Sequence, residues 1–331
     1  MFLSYIIRRL FYMVVTLWII SLLTFIIIEL PPGDFVTTYV NRLVQSGRGP
    51  ADRVAYEAQL RRLYGLDQPE YIRYLRWMER IVFYGDLGQS LAWRKPVKDL
   101  ILERLPITLS IALLSVIFIY LVSIPVGIYS ATHQYSIGDF VFSGISFLGM
   151  SIPQFLLALI LMFLAYRYFN LNIGSIFSPQ YATAPWSIGK FLDMVKHLWI
   201  PIVIVAISST ASVIRVLRGC LLDELRKQYV ITARAKGVPE KKLLWKYPVR
   251  IALNPVVSTI GWDIPWVISS ESIVGIVLNL PTLGPLLLQS LITQDMYLGG
   301  SIVLLLAGMT VFGTFISDML LAILDPRIRY G

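Results

Sequence analysis

The sequence predicts an all-α integral membrane protein, and three observations carry that prediction. Of its 331 residues, 56% are hydrophobic and only 15% are charged, against roughly a quarter charged in soluble domains. Runs of about 20 apolar residues, each long enough to cross a hydrocarbon core of about 30 Å as a helix, recur along the chain. The net charge of +9 comes from 29 Lys and Arg against 20 Asp and Glu, and these charges lie between the apolar runs. That placement follows membrane topology. It speaks against nucleic acid as a partner, because no basic helix with an aromatic stacking platform accompanies the charge. The lone cysteine, Cys220, rules out an internal disulfide framework.

The first apolar run, Leu10 to Leu30, follows Arg8 and Arg9 and ends at Pro31-Pro32-Gly33. A positive flank, a long core and no small-residue cleavage site predict an uncleaved first span that starts in the cytoplasm. Five further spans are expected at about Leu105–Ser130, Phe140–Phe169, Leu198–Leu217, Val256–Leu280 and Gly300–Leu324. Six spans put both termini on the same, cytoplasmic side. The positive-inside rule agrees for the loop around His133, for Arg215 to Arg250, and for Asp325-Pro326-Arg327-Ile328-Arg329. Residues 31–104 carry twelve basic and nine acidic residues yet face outward, which is tolerated because long loops translocate largely regardless of charge. Their apolar residues recur at helical spacing with stops at Gly65 and Gly85, so a small external helical subdomain is expected. The chain thus divides into residues 1–30, 31–104 and a membrane core over 105–331, with a cytoplasmic loop at about 219–250. Prolines 125, 153, 201, 265 and 281 fall within or at the ends of spans, where each removes a backbone donor.

Several chemistries are missing. No G-x-x-x-x-G-K-[ST] phosphate loop occurs, so the chain is not expected to hydrolyse nucleotide itself. His133 and His197 lack carboxylate or cysteine companions at ligand spacing, which argues against a metal site. No G-x-S-x-G serine elbow is present. A transport subunit, or a stand-alone secondary transporter or channel, therefore precedes an enzyme.

Charges at membrane depth are costly and attract functional interpretation. Asp263 and Glu271 lie eight residues apart on the fifth span, about 80° around a helix, and can share one broad face. They line a water-filled path or pair with neighbouring helices. For Glu29 and Asp318, near span ends, interfacial solvation is the expectation.

The stretch Ile231 to Pro255, ITARAKGVPEKKLLWKYPVRIALNP, interrupts this oily pattern. Ten basic residues against three acidic ones lie between Arg215 and Arg250. QYVITARAKG has helix formers closed by a glycine suited to a left-handed cap. Pro239 and Glu240 then mark a new helix start, which stops near Pro248, and Asn254-Pro255 opens the next span. The expectation is helix, glycine turn and short helix, with small residues Ala233, Ala235 and Gly237 at the tip and apolar Leu243, Leu244, Trp245 and Tyr247 behind. Such a knob suits a cleft in another protein; a helix resting on anionic headgroups and a solvated connection remain open.

This loop resembles the cytoplasmic loop of ABC-transporter permeases, in which a small residue, a glycine four positions later and a proline at the next span define the segment that docks on an ATPase. Ala233, Gly237 and Pro255 hold those positions. Further stretches, YGDLGQSLAWRKPVKDLILERLPITLSIALL from Tyr84, LGMSIPQFLLALIL from Leu148, KHLWIPIV from Lys196 and the terminal LLAILDPRIRYG, are similar to the oligopeptide/dipeptide (peptide and nickel) class, first-permease type, over nearly the full chain. The resemblance implies a multi-pass permease of the cytoplasmic membrane that forms half of a translocation path in an ATP-driven importer. It implies as partners a second homologous permease, two ATPase subunits that carry ATP and magnesium, an external solute-binding protein and the lipid bilayer, with no cofactor on this chain. By the same resemblance, Thr232, Ala233, Arg234, Ala235, Lys236, Gly237, Val238, Pro239, Lys241 and Leu244 form the ATPase-coupling segment. Three departures stand out: Pro281-Thr282-Leu283-Gly284 where the family has Pro-Gly-Leu-Gly, Gly275 in place of a frequent glutamate with Glu271 one turn earlier, and Asn254 before Pro255.

Overall fold

Helix α1 (Phe2–Glu29) opens the chain in a computed structural model that describes residues 2–169, 176–185 and 187–324. Every regular element among the described residues is helical, apart from one isolated antiparallel bridge between Gln89 and Pro96. The outer segment forms α2 (Phe35–Gln45), α3 (Arg53–Tyr64) and α4 (Glu70–Glu79), the last continued by a π-helical turn over Arg80–Tyr84. Asp34 and Asp52 cap the first two by accepting hydrogen bonds from the amides of Thr37 and Ala55. Gly65 and Gly85 stop the helical runs in left-handed conformation, φ 68° and 59°, where the sequence had placed the stops.

The remaining helices are α5 (Val97–Thr132), α6 (Ile137–Ser151), α7 (Gln154–Phe169), α8 (Pro179–Ala182), α9 (Ile188–Leu225), α10 (Gln228–Ala235), α11 (Glu240–Lys246), α12 (Pro248–Val277), α13 (Leu283–Ile292) and α14 (Met296–Leu324). Among the described residues, five helical stretches are long and apolar enough to cross a membrane, six if the bent pair α6–α7 is one span. The third expected span is therefore not one straight helix. It breaks by 109° between α6 and α7. Pro153 supplies no amide hydrogen and drives the preceding residue out of the helical region, and Ile152 is extended at φ −87°, ψ 122°. The fifth span also starts earlier than expected. Pro248 occupies its first turn, where a missing donor costs nothing, and Pro255 and Pro265 lie inside the helix. The carboxyl-terminal basic stretch at 325–329 lies outside the described residues.

The chain separates into two compact units. One comprises Thr108–Leu280 with the described residues before Phe11 and after Val311. Within it α12 packs most extensively on α9, with α6 next against α9. Glycines let backbones close in: a Cβ on Gly149 of α6 would come within 2.9 Å of Ile207, and one on Gly127 of α5 within 3.0 Å of Leu217. The other unit comprises Phe11–Ile107 and Pro281–Val311. Here Tyr74 and Trp77 of α4 bury against Phe25 and Met296, while Val97, Leu100 and Ile101 pack with Leu283, Leu286, Leu298 and Ile302.

Two carboxylates expected to be solvated are instead ion-paired. Glu29 pairs with Arg73, and Asp318 lies 2.8 Å from Arg9. A charge near the end of an apolar helix gains from a fixed counter-ion wherever one is within reach.

Candidate functional site

The basic loop folds as two short helices, α10 and α11, around a tight reversal. The amide of Val238 donates to the carbonyl of Ala233 at 3.3 Å and that of Gly237 to Arg234 at 3.0 Å. With Gly237 at φ +75°, these two bonds make a complete Schellman cap, which is why a glycine is needed there. Thr232 also accepts from the Lys236 amide. Pro239 is the residue just before α11 instead of its first member, and Glu240 begins the helix.

The ten coupling-segment residues predicted from sequence gather on this knob. Thr232, Arg234, Ala235, Lys236, Gly237, Pro239 and Lys241 are exposed, and Ala233, Val238 and Leu244 are half-buried. A Cβ on Gly237 would meet nothing within 4 Å, so the space beside this glycine is open. Beneath it Val230 and Leu243 are fully buried and anchor the knob to its unit; of the apolar group behind the tip, Trp245 stays exposed. Arg234 clasps Glu240 across the reversal through two of its guanidinium nitrogens, Nε and Nη2, the latter at 3.2 Å. Tyr229 donates to Glu224 at the end of α9; burial and that carboxylate push its phenol up to about 12. The result is an exposed projection tied to the ends of α9 and α12.

The two acidic candidates on α12 are both buried, Asp263 at 7% and Glu271 at 1% exposure. Eight residues separate them by about 12 Å along the helix, and neither approaches the knob in sequence. Tyr120 of α5 donates to Asp263 at 2.6 Å, and its hydroxyl is also 3.3 Å from that of Thr259. Sequence reasoning missed this partner, because nothing local marks a tyrosine 143 residues away. It also missed the pair between Asp139 of α6 and Arg218 of α9. That pair is bidentate, at 2.8 and 2.9 Å, and Asp139 accepts in addition from the Tyr135 amide at 3.0 Å. A faint signal existed: Ser136-x-x-Asp139 has capping-box spacing, and the Ser136 hydroxyl accepts from the Asp139 amide. Ser136 thus caps α6, and Asp139 holds α9 through Arg218, seven residues before that helix ends at Leu225.

Comparison with known proteins fits this architecture. The family described as binding-protein-dependent transport system inner membrane component matches residues 123–330, and its amino-terminal counterpart matches residues 2–112. The chain is 35% identical over 328 residues to the oligopeptide transport system permease protein AppB of Bacillus subtilis. It is 30% identical over 365 residues to the inner membrane ABC transporter permease protein YejB of Escherichia coli O157:H7, and 30% over 344 residues to the dipeptide transport system permease protein DppB of Escherichia coli K12. In each case the likeness covers 99% of both chains. Matched along both its halves and nearly end to end, the chain belongs to the family of binding-protein-dependent transport system inner membrane components.

Proposed function

We propose that this permease forms half of the translocation path of an ATP-driven importer of peptides or similar solutes. A second homologous permease supplies the other half. Two ATPase subunits, which bind ATP and magnesium, dock from the cytoplasm, and an external binding protein delivers solute. Both termini and the α10–α11 knob face the cytoplasm; residues 31–104 stand outside. Asp263 and Glu271, eight residues apart on α12, are buried in this conformation, and their place on the path requires helix movements that uncover them.

The observation that carries this reading is the exposed knob between α9 and α12. The space beside Gly237 is open, the base is anchored by Val230 and Leu243, and an Arg234–Glu240 ion pair links the two short helices. When ATP draws the ATPases together, the knob is carried with them, and α9 and α12 tilt between inward-open and outward-open arrangements. Coupling requires that the ATPase surface grip the knob differently in the two states.

The test is cross-linking in the assembled importer. A single cysteine at the exposed tip, Ala235→Cys in a Cys220→Ser background, should join to an ATPase subunit, with a yield that changes between ATP-bound and nucleotide-free complexes. An assembly that hydrolyses ATP and imports peptide with no cross-link at residues 232–241 in either state refutes the docking role.

A further inference from the structure

Five arginines, Arg62, Arg73, Arg76, Arg80 and Arg94, line a single cavity of about 740 Å³ in the unit that contains α2 to α4. No Asp or Glu is among the residues lining it. Arg73 pairs with Glu29; the side chains of the other four form no ion pair or hydrogen bond with any described residue. Three acids of this segment are engaged elsewhere, Asp34 and Glu57 by Arg61 and Arg53 and Asp86 by the Gly88 amide. Arg73 and Trp77 in its wall also carry buried donors, Nε and Nε1, with no acceptor among the described residues.

Like charges gathered in a concave wall raise the local potential and repel one another unless an anion joins them. Guanidinium groups are planar forks that hold carboxylates through two parallel hydrogen bonds, and they stack on aromatic faces. Tyr64, Trp77 and Tyr297 provide such faces in the lining. The volume lies in the range of about 300–1,000 Å³ that accommodates drug-sized organic ligands, more than one inorganic anion fills. Four unpaired guanidiniums distributed over α3, α4, the π-helical turn and the Gln89–Pro96 loop call for several carboxylates on one molecule.

We infer that this basin binds acidic oligopeptides, gripping two or more of their carboxylates on the outer side before they enter the membrane path. The inference rests on the importer reading for the peptide and for the side from which it arrives. The basin biases uptake toward acidic peptides, a selectivity separate from that of the binding protein.

Binding is measured on the purified full chain in nanodiscs of zwitterionic lipid, with tetraglutamate, tetraglutamine and tetralysine as probes. Tetraglutamate should bind at least about tenfold more tightly than tetraglutamine, and the difference should shrink as salt rises from about 0.05 to 0.5 M. The double variant Arg76→Glu/Arg80→Glu, which leaves the Arg73–Glu29 pair intact, should weaken tetraglutamate about tenfold with unchanged thermal melting. Arg76→Lys/Arg80→Lys, which keeps charge and loses the fork, should fall between. Equal binding of tetraglutamate and tetraglutamine, or no effect of the glutamate variant, overturns the inference. So does inorganic phosphate competing as well as the tetrapeptide, which would mark a generic anion site. In the assembled importer the glutamate variant should lower uptake of acidic peptides while sparing neutral ones. Failure of the unaltered complex to import any peptide refutes the importer reading alone, since binding by the isolated chain still decides the basin.

Discussion

Gly237→Ala places a methyl group on a residue held at φ +75°, a conformation that costs an L side chain about 1–2 kcal/mol. The added Cβ meets no atom within 4 Å, so strain is its whole effect on the fold. Only the two capping bonds to Ala233 and Arg234 resist it, and the cost therefore falls on the closed knob and spares the helix core. A penalty of 1–2 kcal/mol shifts the closed-to-open ratio of the turn about 5- to 30-fold. Gly237→Asn, which tolerates the left-handed region, should retain the turn. Gly237→Trp adds bulk at the tip and should obstruct docking outright. The assay is peptide uptake and ATP hydrolysis by the reconstituted importer, beside thermal melting of the solubilised permease. Uptake per ATP should fall from Gly to Asn to Ala to Trp, with melting moved by no more than a degree or two between the first three. Full coupled transport by the Trp variant, or loss of the folded chain in the Ala variant, would refute the assignment of this glycine to a strain-dependent docking turn.

Other expectations follow from the same geometry. Arg218→Gln strands the buried Asp139 carboxylate and should cost about 2–3 kcal/mol, the lower side of the range for broken buried pairs because 27% of the Arg218 side chain is exposed; the double variant with Asp139→Asn should regain part of that in a thermal melt. Burial raises the Asp34 carboxyl, but hydrogen bonds from Arg61 and Thr37 outweigh it and hold it below the usual carboxylate value. A depressed folded value means stability that is present above the ordinary carboxylate range of about 4 and is lost as pH falls through the folded value. Melting of the outer helices should therefore steepen its decline in acid, and Asp34→Asn should remove that dependence while lowering stability at neutral pH. A Cβ on Gly313 would lie 2.2 Å from the Ile264 side chain, so Gly313→Ala should destabilise by about 1–3 kcal/mol through overpacking. Ile264→Ala should recover part of that loss; if the double variant is no more stable than the single one, close approach of α12 and α14 at this point is not the cause.

What could be read from the chain was whatever depends on neighbours in sequence. Gly65, Gly85 and Gly237 stop helices because a left-handed residue is a local requirement, and the knob was visible because its cap and restart fall within ten residues. Pro153 was visible as an interruption, but its angle was not. The same proline can kink a helix or break it by 109°, and the choice lies in how α6 and α7 pack. The misjudged residues were those whose partners are remote. Glu29 finds Arg73 and Asp318 finds Arg9, and the Tyr120 partner of Asp263 could not be named, each arising through packing that periodicity does not encode. The arginine basin was hidden for the same reason: its basic residues are interspersed with acids in the linear chain, and only folding brings five arginines to one cavity wall.

The 38 residues of α9 extend about 57 Å, nearly twice the hydrocarbon thickness. A beam of that length, pivoted near its middle, moves each end by about 2.5 Å for every 5° of tilt. That is a little less than half of one helical turn. The leverage turns a small displacement at one end of the helix into one of similar size at the other, with no large rearrangement along its length.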